Sequence, residues 1–156
     1  MDYDHTQRGG LRIILDLSAG LMFVMAWLSR AVRVPALILV ATGAVFLALG
    51  FCFRELTVRD AGDHLRVRYG PLPLFGTRIR YDEITAVEPA RTSWLDGWGI
   101  HWLPGRGWTY NIWGFDCVRL TVGGKTISVG TDDVDNLARF LREKTGCAEN
   151  PEPSPS

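Results

Sequence analysis

The sequence predicts a membrane hairpin of two α-helices carrying a mainly-β domain closed by one C-terminal helix. Three observations predict this fold class. An uncharged run of 20 residues, Val34 to Phe53, follows a shorter apolar run, Ile13 to Leu28, across a brief polar turn. Beyond Phe53 the pattern becomes short alternating segments separated by turns rich in Gly, Pro and Asp. Near the end, Val134, Leu137, Ala138 and Leu141 fall at i, i+3, i+4 and i+7, the period of one helical stripe.

At about 1.5 Å rise per residue, the second run reaches ~30 Å, the thickness of a bilayer hydrocarbon core. Pro35 stands at its start, where the missing N–H costs nothing. The first run is only 16 residues and contains Asp16 and Ser18. Arg12 extends it, because an arginine can snorkel to the headgroups. Asp16 lies about one turn from the end and four residues from Arg12. That spacing reads as an interfacial ion pair in preference to an intramembrane proton site. Arg8 and Arg12 also resemble the basic start of a secretion signal. Asp16 interrupts the apolar stretch, however, no small-x-small cleavage site follows Trp27, and a second span arrives within a few residues. A retained hairpin is therefore expected, with helices over about 11–29 and 34–53. Trp27 would sit near the far interface, and residues 1–10 are expected to be a flexible N-terminus.

A two-span hairpin leaves both termini on one side. The flanks carry Arg8, Arg12, Arg54, Arg59, Arg66 and Arg68, against Arg30 and Arg33 in the turn. Six against two predicts cytoplasmic termini in a multi-pass membrane protein. Gly43, Ala44, Ala48 and Gly50 would let the two helices approach closely, and the same stripe would serve a homo-oligomer.

Residues 54–146 read as one β domain. Leu56 and Val58, then Leu65, Val67 and Tyr69, alternate with polar residues across the turn Asp60-Ala61-Gly62-Asp63. Gly70-Pro71-Leu72-Pro73 breaks the pattern, a third strand follows over 75–81, and a fourth over 84–89. The Gly- and Trp-rich stretch 94–114 is expected to hold one or two strands and a long loop. Cys117–Val122 and Lys125–Gly130 form a hairpin across Gly123-Gly124. Six or seven strands are expected in all. Thr131 or Asp132 caps a helix over about 132–145, whose acidic start and basic end suit the helix dipole. Residues 147–156, with three prolines, are expected to be disordered.

No recognisable catalytic centre emerges. Cys52, Cys117 and Cys147 are odd in number and far apart, which argues against a disulfide framework or a structural zinc. His5, His64 and His101 have no metal-ligand spacing. There is no Gly-x-Ser-x-Gly elbow and no phosphate loop; Pro104-Gly105-Arg106-Gly107 lacks the lysine and the following helix. Asp132 and Asp133 resemble a carboxylate pair, but their place at a helix start explains them. Neither enzyme activity, cofactor nor metal is expected. With 17 basic and 17 acidic residues, the net charge is zero and nucleic acid is not an expected partner.

Two membrane runs followed by strands, then Gly97-Trp98-Gly99-Ile100, Gly107-Trp108-Thr109-Tyr110-Asn111 and Gly130-Thr131-Asp132-Asp133 before a last helix, resemble bacterial membrane-anchored proteins with a pleckstrin-homology-like (PH-like) domain. Tyr81 to Glu88 also resembles that family's stretch between two central strands. The resemblance runs from about residue 11 to 145. It implies a PH-like barrel or sandwich of antiparallel strands with a C-terminal helix plugging one end. Such domains bind lipid headgroups in some settings and proteins in others, so the resemblance implies no single ligand.

Two surfaces are candidates for binding. Arg66 and Arg68 share one strand face, and Arg78 and Arg80 another; if the strands are neighbours, four guanidiniums form one patch. Five tryptophans fall within 20 residues. Trp98 and Trp108 are expected in the core, and Trp94, Trp102 and Trp113 as exposed anchors. His101 beside them reads as an ordinary histidine in preference to a pH sensor. The function expected is a non-enzymatic, membrane-tethered module that recruits or scaffolds a protein at the cytoplasmic face. The alternatives are an anionic-phospholipid-binding module whose arginine face reads the bilayer, or an accessory subunit of a membrane transport complex.

Overall fold

The computed structural model describes residues 2–72, 74–93 and 98–147. Helices α1 (Leu11–Leu28) and α2 (Arg33–Cys52) form an antiparallel hairpin whose ends lie within one residue of those expected. Both are long and apolar enough to cross a membrane. Ile13, Leu17, Leu21 and Leu28 on α1, and Val34, Leu37, Ile38 and Val45 on α2, stay exposed. The helices touch where α2 is smallest: the Phe23 ring lies against Gly43 and the Asp16 carboxylate against Gly50. Asp16 accepts a hydrogen bond from Arg12 Nε at 3.1 Å, the ion pair expected from their spacing. In the turn, the Arg30 guanidinium sits 4.5 Å from the Trp27 ring centroid.

The N-terminus is a strand, not a flexible arm. β1 (Asp4–Arg8) pairs antiparallel with β2 (Glu55–Asp60), with Asp4 opposite Arg59, Thr6 opposite Thr57 and Arg8 opposite Glu55. The helical hairpin is thus an insertion between two neighbouring strands. Asp4, Thr6 and Arg8 face outward while Gln7 is buried. No residue of β1 is apolar, so the usual strand signal is absent.

β3 (His64–Gly70) and β4 (Gly76–Arg80) complete an antiparallel sheet in the order β1-β2-β3-β4. A 3-10 turn, Tyr81–Glu83, leads to the second sheet. That sheet holds β5 (Ile84–Arg91), β6 (Gly99–Leu103), β7 (Gly107–Asn111), β8 (Asp116–Val122) and β9 (Lys125–Gly130) in the order β5-β8-β9-β7-β6. All its pairs are antiparallel except β7 with β9. The described strands number nine, against the six or seven expected. The sheets remain separate, so the closed-barrel alternative is not formed: the 3-10 turn carries the chain from β4 to β5 without pairing them.

One core fills the space between the sheets and α3 (Val134–Thr145). Leu56, Val58, Leu65, Val67 and Ile79 come from the first sheet, Val87, Val118, Leu120 and Val129 from the second, and Leu137 and Leu141 from α3. Their alternation leaves polar residues on the outer faces, as the period-2 pattern requires. Cys52 and Cys117 are buried and free. Thr131 accepts the Asp133 N–H at its hydroxyl before α3, and Gly146 ends the helix in the left-handed conformation. The expectation for 147–156 falls, from residue 148 onward, outside the described residues.

Three polar contacts join the layers. The buried Tyr69 hydroxyl reaches the carbonyls of Gly99 at 3.0 Å and Asn111 at 3.1 Å, tying the first sheet to β6 and β7; burial pushes its phenol well above the ordinary value. Gln7 Nε2 donates to the Trp113 carbonyl at 3.1 Å. Asp60 accepts from Lys144 Nζ at 2.8 Å and from the Tyr81 hydroxyl at 2.9 Å, linking β2, the 3-10 turn and α3. Burial alone would raise the Asp60 carboxyl. Donation from Lys144, the Gly62 N–H and Tyr81 outweighs it and holds the carboxyl below the usual carboxylate range.

Removing the Tyr69 hydroxyl leaves two buried carbonyls without that donor. Tyr69→Phe should lower the unfolding free energy of the full chain in detergent by ~1–2 kcal/mol, read by chemical denaturation. Asp60 gives a pH signature. A depressed carboxyl stabilises the fold above its unfolded pKa of about 3.9, and that stability is lost as pH falls through the folded value. Asp60→Asn should therefore be the weaker protein at pH 7, and its deficit should shrink near pH 3. An equal deficit at both pH values would count against the Asp60 node.

Candidate functional site

Because the inner faces of both sheets serve the core, polar chemistry is confined to the outer faces. On the first sheet, β2, β3 and β4 place three arginines in register: Arg59 opposite Arg66, and Arg66 opposite Arg78. Arg68 lies two residues closer to α2 on the same face, opposite Thr57. Like charges directly opposite repel. Asp4 at the end of the row lies 3.5 Å from Arg59. A shallow concavity of about 310 Å³ opens here, lined by Asp4, Thr6, Glu55, Thr57, Arg59, Arg66 and Arg68.

The sequence-derived patch of Arg66, Arg68, Arg78 and Arg80 is therefore assembled only in part. Arg80 turns away to bind Asp82 through Nε at 3.0 Å, with Glu83 3.8 Å away, and it holds Asp82 below the usual carboxylate range. Its place is taken by Arg59. The signal for Arg59 was present: a hairpin turning at Ala61-Gly62 brings Arg59 level with Arg66.

The tryptophans distribute differently from expectation. Trp102 and Trp108 are directly opposite on β6 and β7, and both are exposed, by 56% and 44%. Trp108 is thus not a core residue. It lies on the same strand face as Tyr110, beside the edge strand β6 and away from β5 and β8, against which α3 mainly packs. Trp98 is half-buried and stacks on Trp113 at 4.5 Å, and Trp113 also lies against Gly10 at the start of α1. Trp113 is accordingly an exposed residue held in place, and Trp102 is the freer of the two exposed anchors. Trp94 lies outside the described residues.

The end of the domain beside the helical hairpin is apolar. Phe53, the residue after α2, stacks on Phe75 at 5.2 Å and meets Tyr69 edge-on at 4.9 Å. Leu72, Leu74 and Phe75 in the β3–β4 connection are exposed, as is Trp113 in the β7–β8 connection. These loops share the end of the sheets at which β1 enters α1 and β2 leaves α2.

A second concavity, which no sequence motif marked, lies on the outer face of the second sheet. Arg119 projects from β8, with Ser128 opposite it on β9 and Thr109 opposite Ser128 on β7. Arg91 from the end of β5 and Arg106 from the β6–β7 turn flank that row. Among the described residues, no group of His, Cys, Asp and Glu has the arrangement of a metal site.

No family model, no curated protein and no solved structure matches the chain. The PH-like likeness therefore rests on the motifs alone, and what the structure establishes is the coarser architecture of two apolar helices, two sheets and one closing helix.

Proposed function

We propose that this chain is a non-enzymatic, membrane-anchored module of PH-like type that holds an acidic segment of a protein partner at the cytoplasmic face of the membrane. The observation that carries the reading is the in-register row Arg59–Arg66–Arg78 on an exposed sheet face. Three opposed guanidiniums repel one another, and an anionic partner converts that repulsion into attraction. Anchoring is supported by the uncovered apolar sides of α1 and α2, which water would not tolerate and lipid would. The apolar rim of Leu72, Leu74, Phe75 and Trp113 lies where headgroups would meet the domain. Strand β1 beside β2 brings the chain back to the side from which it entered, and the arginine count of the flanks favours the cytoplasm.

Distance favours a protein partner over the bilayer as the ligand of this face. Arg59 is four residues beyond Glu55, which is ~13 Å along a strand. A headgroup layer extends only ~5–7 Å past the hydrocarbon core. At a screening length of about 8 Å, the arginine row feels little of an anionic leaflet when the strands stand upright. The rim, not the arginine row, would be the lipid contact.

The full chain in nanodiscs of neutral lipid should bind an oligo-glutamate peptide, with affinity falling as salt rises. The double variant Arg66→Glu/Arg78→Glu should weaken that binding by at least ~10-fold, since charge pairs at interfaces couple by more than 1.4 kcal/mol. Unchanged peptide binding in the double variant would defeat the proposal. Preferential binding of the isolated arginine face to anionic vesicles, lost in the same variant, would instead favour the phospholipid reading.

A further inference from the structure

The concavity on the outer face of the second sheet has an unusual composition. Its volume is about 360 Å³, within the range of small-molecule sites. Among the described residues, its lining consists of three arginines, five hydroxyl residues and one glycine. A solvated groove on a half-buried sheet ordinarily mixes acids, amides and apolar edges. Here every described side chain that lines the space is a cation or a hydroxyl.

Two of those hydroxyls are in the floor. Thr109 is 2% exposed and Ser128 5% exposed, and neither hydroxyl has a hydrogen-bond partner among the described residues. Both side chains line the cavity, so their hydroxyls are polar groups that anything entering the groove would meet. Arg119, directly opposite Ser128 and exposed, likewise has no ion-pair partner among the described residues. Its other cross-strand neighbour, Glu88, is half-buried and does not line the cavity. Arg91 is steadied by Asp116 at 3.0 Å, which leaves part of its fork for a second anion. Arg106 is delivered by a tight turn. Gly107 has φ +78, and a Cβ there would collide with the Thr126 carbonyl, so only glycine lets the turn lie down on β9.

We infer that this groove binds a phosphate-bearing small molecule, with Arg119 gripping the phosphate, Arg91 and Arg106 lending positive charge beside it, and Thr109 and Ser128 donating from below. Guanidinium forks match the several acceptor oxygens of a phosphate, and neutral hydroxyls complete its shell without adding repulsion. A volume of about 360 Å³ leaves room for a polar substituent beyond the phosphate itself. The inference does not depend on the arginine row of the first sheet, which lies on the other outer face.

The full chain in maltoside detergent should be titrated with inorganic phosphate and with glycerol 3-phosphate at fixed ionic strength, using chloride as the control. Saturable broadening of the phosphorus resonance and a saturable rise in Tm are expected for both phosphates and not for chloride. Arg119→Gln should weaken the apparent affinity at least ~10-fold, with Arg119→Lys between it and the native chain. Ser128→Ala should weaken it less, and Arg66→Gln not at all. A second arm places the chain in nanodiscs with and without phosphatidylglycerol. Competition by that lipid assigns the phosphate to a headgroup, and its absence assigns it to a soluble ligand. Linear, non-saturable responses, or a native-like response from Arg119→Gln, would overturn the inference.

Discussion

Everything in this structure depends on the pairing of β1 with β2. Because Arg8 stands opposite Glu55, the residues that enter α1 and those that leave α2 are held side by side by a strand ladder. The helical hairpin is joined at both ends to neighbouring strands of one sheet. The same ladder carries Gln7 to the Trp113 carbonyl and brings Trp113 against Gly10, so the second sheet is fastened to the hairpin junction as well. Phe53 on Phe75 closes the other side of that junction. The domain and the helices thus share an apolar seam.

The inner faces are consumed by the core, and α3 covers part of the open side through Leu137, Phe140 and Leu141. What remains for recognition are two outer faces, and both are rich in arginine. On the first, charge is concentrated by strand register and opposed to like charge. On the second, it is set among hydroxyls in a concavity. These are different electrostatic devices. A like-charged ladder on an open sheet face suits an extended acidic surface, whereas a hydroxyl-floored groove suits one compact anion.

Much of the architecture was legible because it follows from periodicity. The hairpin helices, the β2–β3 and β8–β9 ladders and α3 all lie within a residue or two of the expected bounds. β1 was hidden because Asp4, His5, Thr6, Gln7 and Arg8 include no apolar residue, and its strand state is imposed by the edge of β2. Trp108 was misplaced because periodicity gives the face of a strand and not its distance from the sheet's edge. Arg80 left the patch because Asp82, two residues on, gave it a closer partner than the sheet could.

By itself, the sequence determined the lengths of the apolar helices, the alternation of the strands and the position of the closing helix, since each is a local property of solvent preference along a few consecutive residues. Only the tertiary structure decided that the hairpin interrupts a sheet, that β7 runs parallel to β9, and that Arg91, Arg106 and Arg119 converge over Thr109 and Ser128. Those facts depend on strand order. Order is set by which distant edges find complementary hydrogen-bonding partners while a shared core is buried, and that choice leaves no trace in any short window of residues.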